Sequence, residues 1–141
     1  MPGKHNVLNA LAVVALANEL GMEFSGIAQS MAEFRGARRR FDMLYKSSNY
    51  SIVDDYGHHP TEIKATIETA KQLNPERLVC VFQPHRYTRT KLMLDKFSGA
   101  FSGVDKLFIT EVYAAGEAPI IGADSNACLL YTSPSPRDLS E

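Results

Sequence analysis

From residue 50 to residue 110 the sequence alternates between short apolar runs and longer segments with helical spacing. YSIVDD (50–55), RLVCVF (77–82) and KLFIT (106–110) have the length and composition of strands. HHPTEIKATIETAKQLNP (58–75) and RTKLMLDKFSGAF (89–101) have the spacing of helices. This alternation predicts a βαβαβ unit with a parallel sheet, so the expected fold class is α/β and Rossmann-like.

The residues before this unit predict helices instead. HNVLNALAVVALANELG (5–21) carries an apolar stripe at helical spacing, and SGIAQSMAEF (25–34) predicts a second helix with Ser25 as its N-cap. We therefore expect a helical region over residues 1–42 and an α/β region over residues 43–125. The Ser- and Pro-containing tail, residues 126–141, lacks periodicity, which predicts either disorder or a non-native segment that is foreign to the rest of the chain.

Charge and cysteine content exclude several classes of protein. The net charge is −1, which gives no electrostatic basis for broad binding to nucleic acid. With only 2 cysteines a disulfide framework is not expected, and the reducing cytoplasm is the predicted location. The apolar stretch from Val7 to Leu20 contains Asn9, Asn18 and Glu19, so we expect neither a membrane span nor a membrane partner.

Polar residues follow each predicted strand directly, as DDYGHH, QPHRYTR and EVYAAGE. In an open parallel sheet the carboxyl ends of the strands share one edge, where ligands bind. Three such clusters in register therefore predict one site at that edge.

Each cluster has a functional and a purely structural interpretation. Arg86 and Arg89 precede or open a helix and could hold a carboxylate or phosphate, because guanidinium groups bind these anions bidentately. Alternatively, one of them is a solvated surface charge. DDYGHH could contact a nucleotide or metal, or His59 could cap the following helix while the acids are incidental. Tyr113 could be an aromatic at the rim of the site.

Two further candidates precede the α/β region. His5, Asn6 and Asn9 cluster in the first turns of the first predicted helix, where asparagine amides could read an adenine edge or merely cap the helix. The basic segment RGARRRF could be a solvated turn or a phosphate or ribose contact.

Five segments taken together resemble one family closely. PGKHNVLNALAVVALANELG, FRGARRRFD, VDDYGHHPTEIKATI, FQPHRYTRT and EVYAAGEAPIIGADS are similar, in this order, to the MurC family of Mur ligases. The resemblance runs from Pro2 to about Ser125. It implies that residues 1–42 are the end of a central ATP-binding domain and that residues 43–125 are an incomplete C-terminal Rossmann-like domain.

The resemblance also implies an activity. The family uses ATP and Mg²⁺ to join L-alanine to UDP-N-acetylmuramic acid in peptidoglycan synthesis, through an acyl phosphate that the alanine amine attacks. ATP, L-alanine and UDP-N-acetylmuramic acid are thus the expected small-molecule partners. By motif, the implied ATP contacts are His5, Asn6, Asn9, Arg40 and Asp55. The implied substrate contacts are Tyr56, His58, His85, Arg86 and Arg89, among which His58, Arg86 and Arg89 are the implied catalytic residues.

The chain departs from the family pattern in one respect that bears on activity. The printed sequence contains no glycine-rich phosphate loop ending in Gly-Lys-Thr/Ser, and the Mg²⁺ ligands of the family are expected mainly outside it, so no metal ligand is predicted. We therefore expect a piece of a ligase that is itself inactive.

Two rival functions stay open at this point. The chain could be a non-catalytic nucleotide-binding module. It could also, with less support, be a metal-dependent hydrolase in which Asp54, Asp55, His58, His59 and Glu111 gather around an ion.

Overall fold

The computed structural model describes residues 3–34 and 36–132, and these fall into two compact units that are divided between Tyr56 and Gly57. The elements in chain order are α1 (Lys4–Glu19), α2 (Phe24–Glu33), β1 (Asp42–Lys46), β2 (Ser51–Asp54), α3 (Pro60–Lys71), β3 (Val79–Phe82), α4 (Tyr87–Phe97), β4 (Lys106–Ile109) and α5 (Ser125–Thr132). The unit boundary after Tyr56 is distinct from the family-based domain boundary predicted after residue 42, which stays a prediction.

The first unit begins with the two helices that the apolar spacing predicts. In α1 no residue is buried, and Leu8, Leu11 and Leu16 of its apolar stripe are exposed. In α2 only Ile27 is buried, and the N-cap is Glu23 rather than the predicted Ser25. The periodicity thus predicted both helices correctly. It did not reveal that the apolar stripe of α1 is exposed in this structure.

Strands β1 and β2 form an antiparallel hairpin, which corrects one part of the predicted topology. Residues 50–55 were expected to open the parallel sheet, whereas among the described strands β2 pairs only with β1. The hairpin forms because Ser47, Ser48 and Asn49 make a turn, in which Ser47 N–H donates to the carbonyl of Tyr50 at 2.9 Å. Tyr45 and Tyr50 then stack across the strands, with ring centroids 5.2 Å apart.

The second unit contains the predicted parallel pairing and confirms the α/β fold class. Strands β3 and β4 pair in parallel, with Val79 opposite Lys106 and Phe82 opposite Ile109, and α4 connects them. Parallel strands need such a crossover, because a tight turn can only reverse the chain. The crossover places the ends of β3 and β4 side by side.

One face of this parallel pair packs on a core built around three phenylalanines. The ring centroid of Phe82 lies 5.5 Å from that of Phe97 and 5.1 Å from that of Phe101. Both pairs are tilted, the kind of arrangement that aromatic pairs prefer to direct face-to-face stacking. Ile63 and Ile67 of α3 complete this cluster at helical spacing. The core therefore fixes α3 and α4 on the sheet, and with them the loops at their N-termini.

The tail prediction needs a correction at its start. Residues 125–132 form α5, and Cys128 is fully buried in the same core, so disorder does not begin at residue 126. Residues 133–141 lie outside the described part of the chain. Within residues 3–34 and 36–132 no helix combines the length and the apolar character that crossing a bilayer requires.

Candidate functional site

The loops that follow β3 and β4 are joined by backbone hydrogen bonds. Beyond the strand ends, His85 and Tyr113 form a parallel bridge. Tyr113 N–H donates to the carbonyl of Pro84, and Arg86 N–H donates to the carbonyl of Tyr113, both at 2.8 Å. The predicted convergence of these two polar clusters at one sheet edge is therefore present.

Three rings meet at this edge. The imidazoles of His58 and His85 have centroids 5.7 Å apart, and the ring of Tyr113 lies 5.3 Å from that of His85. His58 belongs to the loop that precedes α3, so a third chain segment reaches the place that the sequence predicted. It does so although β2 belongs to the hairpin rather than to the parallel sheet.

The guanidinium of Arg89 is held by His85. Its Nη1 lies 3.2 Å from Nδ1 of His85 and 3.5 Å from the His85 carbonyl oxygen. A guanidinium can only donate, so the imidazole accepts at Nδ1 and carries its proton at Nε2. Burial, followed by the positive charge of Arg89, lowers the pKa of His85 below its ordinary value, with smaller contributions from His58 and Arg86 in the same direction. His85 is thus a neutral acceptor that orients a cation.

Arg86 occupies a strained position at the start of α4. It is the N-cap residue with φ 70°, a left-handed conformation that non-glycine residues rarely adopt, and it makes no side-chain cap. Its carbonyl accepts from Thr90 N–H at 3.0 Å and from Thr90 Oγ1 at 2.8 Å. The backbone is therefore fixed on both sides while the side chain is exposed.

The loop before α3 shows that His59 caps the helix, as its structural interpretation predicts. His59 Nδ1 accepts from Thr61 N–H at 3.2 Å, and Glu62 Oε2 accepts from His59 N–H at 3.1 Å, which completes a capping box. Pro60 occupies the first turn, as predicted. Glu62 Oε2 also accepts from His58 N–H at 3.2 Å and lies 4.0 Å from His58 Nδ1. The cap thus places His58 beside a carboxylate.

Sequence reasoning missed Thr88 at the start of α4 and Glu117, which lies after β4 and contacts it. Glu117 accepts from Thr88 N–H at 3.0 Å and from Thr88 Oγ1 at 2.7 Å. These hydrogen bonds, backbone first, lower the pKa of Glu117, and the charge of Arg86 adds to the effect. The predicted helix began at Arg89, directly after Thr88, which is an ordinary N-cap residue, so nothing in the sequence indicated that α4 starts two residues earlier and takes its cap from Glu117.

The acidic candidates Asp54 and Asp55 lie in the first unit and support the turn before β1. Asp55 Oδ2 accepts from Phe41 N–H at 2.8 Å, and Asp54 pairs with Arg39 Nε at 3.2 Å. The Arg39 guanidinium also lies over the ring of Tyr56, 4.8 Å from its centroid.

Arg40 is exposed between two left-handed residues, Arg39 with φ 57° and Phe41 with φ 51°. Two strained neighbours make this turn a specific conformation that Asp54 and Asp55 hold in place.

The remaining candidates lie on α1. His5 and Asn9 are exposed and Asn6 is half-buried, and Asn6 and Asn9 are three residues apart, so they share one side of the helix. Asn6 N–H donates to the carbonyl of Gly3 at 3.0 Å, which starts the helix.

The metal-hydrolase alternative finds no support in the described residues. Across residues 3–34 and 36–132, no group of three or more His, Cys, Asp or Glu side chains is arranged to hold a metal ion. Among the acids of that alternative, Asp54 pairs with Arg39, and Glu111 Oε1 accepts from Ser125 Oγ at 3.3 Å.

Comparison with known proteins decides the family. The model of the family described as Mur ligase, glutamate ligase domain matches residues 39–129, well over half of the chain. The chain belongs to the Mur ligase family. The match includes the hairpin, the parallel pair, the ring cluster at its edge and the first residues of α5. The family resemblance that the sequence motifs indicated is therefore confirmed.

Individual relatives of this Mur ligase chain share one name. It is 50% identical over 125 residues to the UDP-N-acetylmuramate–L-alanine ligase of Anaeromyxobacter sp. (strain Fw109-5), covering 89% of this chain and 27% of that protein. It is 53% identical over 127 residues to the ligase of the same name from Geotalea daltonii, covering 90% and 28%. The chain thus spans between a quarter and a third of the length of these curated relatives.

Solved Mur ligase structures match as well. The UDP-N-acetylmuramate–alanine ligase MurC of Thermotoga maritima superposes with a TM-score of 0.71 at 40% identity, over 80% of this chain and 25% of that one. A murein peptide ligase from Psychrobacter arcticus gives a TM-score of 0.56 at 27% identity, over 77% and 23%. The Mur ligase fold assignment therefore has support from both sequence and structure.

Proposed function

We propose that this chain is part of an ATP-dependent ligase that joins L-alanine to UDP-N-acetylmuramic acid, and that its ring cluster and two arginines hold the incoming amino acid. The observation that carries the proposal is the pairing of Arg89 with neutral His85 beside Arg86 and His58. Two guanidinium groups and two imidazoles at one edge suit a zwitterion, whose carboxylate needs cations and whose amine must lose a proton.

In this proposal Arg86 and Arg89 bind the alanine carboxylate. His85 contributes by orienting Arg89, and because it is neutral it adds no competing positive charge. Tyr113 is proposed to border the amino acid at the rim of this site. Tyr56 is proposed as a substrate contact from the motif resemblance alone. Orienting the small zwitterion lowers the entropic cost of bringing its amine to the electrophile.

His58 is proposed to accept a proton from the alanine ammonium. Its Nδ1 lies 4.0 Å from Glu62 Oε2, so a carboxylate is available to stabilise the imidazolium that results. The free amine then attacks the acyl phosphate of the muramic acid, and inorganic phosphate leaves with its electron pair from the tetrahedral intermediate. ATP supplies the phosphoryl group, because a carboxylate is a poor electrophile until its oxygen can leave.

The nucleotide contacts are proposed from motif resemblance, with support from the N-terminal unit. His5, Asn6 and Asn9 would face the adenine, Arg40 the phosphates or ribose, and Asp55 the ribose. The strained, carboxylate-supported turn around Arg40 is typical of a binding loop. Mg²⁺ would act with ATP through ligands supplied mainly by other parts of the enzyme. The reaction is assigned to the cytoplasm.

The experiment tests binding and turnover on the 141-residue chain separately. Titration with L-alanine, followed by NMR, should shift the side-chain signals of His58, Arg86 and Arg89, whereas L-alaninamide, which lacks the carboxylate, should not shift the signals of the two arginines. With ATP, Mg²⁺, L-alanine and UDP-N-acetylmuramic acid, the chain alone should release no phosphate, because the sequence holds no phosphate loop. Alanine-dependent phosphate release, or equal shifts with the amide, would contradict the proposal.

A further inference from the structure

At the N-terminus of α4, the residue at the capping position is one that suits anion binding and cannot cap the helix. The N-cap position favours Ser, Thr, Asp or Asn, whose side chain accepts from an N–H of the first turn. In α4 that position is Arg86, which is left-handed at φ 70° and has no side-chain acceptor to offer. The first-turn donors of this helix therefore need an acceptor from solvent or from another part of the chain.

Glu117 supplies the side-chain acceptor that Arg86 lacks. Its carboxylate reaches back 29 residues to accept from Thr88 N–H at 3.0 Å and from Thr88 Oγ1 at 2.7 Å. A carboxylate at this place also complements the positive end of the helix dipole. Because it occupies a first-turn donor, an anionic ligand beside α4 must depend on the arginine side chains rather than on that N–H.

The turn that presents Glu117 is itself fixed in an uncommon conformation. Ala115 with φ 51° and Gly116 with φ 86° are both left-handed, and Glu117 N–H donates to the carbonyl of Ala114 at 3.0 Å. A left-handed alanine is strained, so the surrounding structure holds this turn in place. At the other end of this segment, the carbonyl of Tyr113 accepts from Arg86 N–H at 2.8 Å. Both ends of the 113–117 segment are thus hydrogen-bonded to residues at the start of α4.

We propose that Glu117 is a positioning residue that caps α4 through Thr88 and thereby fixes the Arg86–Arg89 turn for binding the carboxylate of the amino-acid substrate. This inference rests on the proposed function for the identity of the ligand, but the positioning itself is measurable without any ligand. Glu117 need not touch the substrate. It acts through the helix that carries the two arginines.

The primary test compares Glu117→Ala, Glu117→Gln and the wild-type 141-residue chain, with L-alanine as the probe. We expect Glu117→Ala to bind L-alanine about tenfold more weakly, because the helix end that loses its cap must be reordered when the ligand binds, at a cost comparable to the stability that a cap contributes. Glu117→Gln should fall in between, because an amide oxygen can still accept from Thr88 N–H but the negative charge is lost. Glu68→Gln removes the same charge from an exposed position on α3 and should leave binding unchanged.

Two NMR measurements report on the positioning itself. They are the Nε–H signal of Arg89 and the rate of hydrogen exchange at the backbone amide of Thr88. In Glu117→Ala the Arg89 signal should move towards that of a disordered arginine, and Thr88 should exchange faster. A residue that only stabilised the fold would lower the unfolding midpoint while leaving the Arg89 signal and the alanine affinity of the folded protein unchanged. That result would overturn the inference.

A milder pair of variants covers the case in which Glu117→Ala does not fold. Thr88 is exposed, so Thr88→Val removes only the 2.7 Å hydroxyl bond, and about threefold weaker binding is expected. Thr88→Ser keeps the hydroxyl and should restore binding. If the wild-type chain binds no L-alanine, the proposed function of the chain fails, and the Arg89 and Thr88 signals alone decide the inference: unchanged signals in Glu117→Gln and Thr88→Val refute it.

Discussion

Arg89 donates from Nη1 to Nδ1 of His85 across 3.2 Å, so a cation four residues further along fixes the tautomer of an imidazole. The same contact fixes the guanidinium. The functional interpretation of the QPHRYTR loop therefore depends on the protonation state of His85, which is measurable.

The pKa of His85 should lie below its ordinary value of 6.5, with burial as the main cause and Arg89 as the second. A lowered histidine pKa means that the neutral form, and the stability it brings, is fully present above pH 6.5. That stability is lost as the pH falls through the pKa of the folded protein, because a protonated Nδ1 cannot accept. Titration by ¹⁵N NMR should show the Nε2–H tautomer at neutral pH.

Arg89→Gln is the matched variant for this titration. Removing the charge should raise the pKa of His85 but leave it below 6.5, because burial, the larger cause, persists. A pKa at or above 6.5 in the unaltered chain, or an Nδ1–H tautomer, would show that the contact with Arg89 does not form in solution.

Replacing His59 should weaken α3 at its N-terminus. His59→Ala removes the acceptor of Thr61 N–H and breaks the capping box, so we expect a loss of about 1 kcal/mol in the free energy of unfolding. His59→Asp, which keeps a side-chain acceptor at the N-cap, should lose less. Denaturant titration measures both, and equal stability of His59→Ala and the unaltered chain would exclude a capping role.

Phe97 should be the most sensitive position of α4. Its side chain is 1% exposed between Phe82 and Phe101, so Phe97→Ala is expected to cost about 3–5 kcal/mol. Leu92 on the same helix is 81% exposed, and Leu92→Ala should change stability by no more than about 0.5 kcal/mol. Thermal or denaturant unfolding of the two variants gives the comparison; similar losses would mean that the core is not packed as described.

Both cysteines should react slowly with thiol reagents in the folded protein. Burial raises the pKa of Cys80 and of Cys128 to about 11, and Asp124 adds to the effect at Cys128. Against the ordinary value of 9.0, this reduces the thiolate fraction near neutral pH about 100-fold. Labelling should accelerate on unfolding, and rapid labelling of the folded chain would argue against the burial of these thiols.

Much of the local structure follows from the sequence. Helical spacing placed α1, α2, α3 and α4, and Pro60 marked the start of α3, because these signals depend only on neighbouring residues. The order of the polar loops also predicted the meeting of His58, His85 and Tyr113. What failed was the partner of β2, since a short apolar run does not reveal whether it pairs in parallel or antiparallel fashion.

The sequence by itself determined the family, the helices and the polar residue types that follow the strands, because motifs and periodicities are properties of short stretches of sequence. Only the tertiary structure decided that β2 belongs to a hairpin, that Cys128 enters the core, and that Glu117 caps a helix whose N-cap position holds an arginine. Each of these depends on contacts between residues far apart in the chain. Their geometry is set by backbone hydrogen bonding and side-chain packing, which no local pattern of residues encodes.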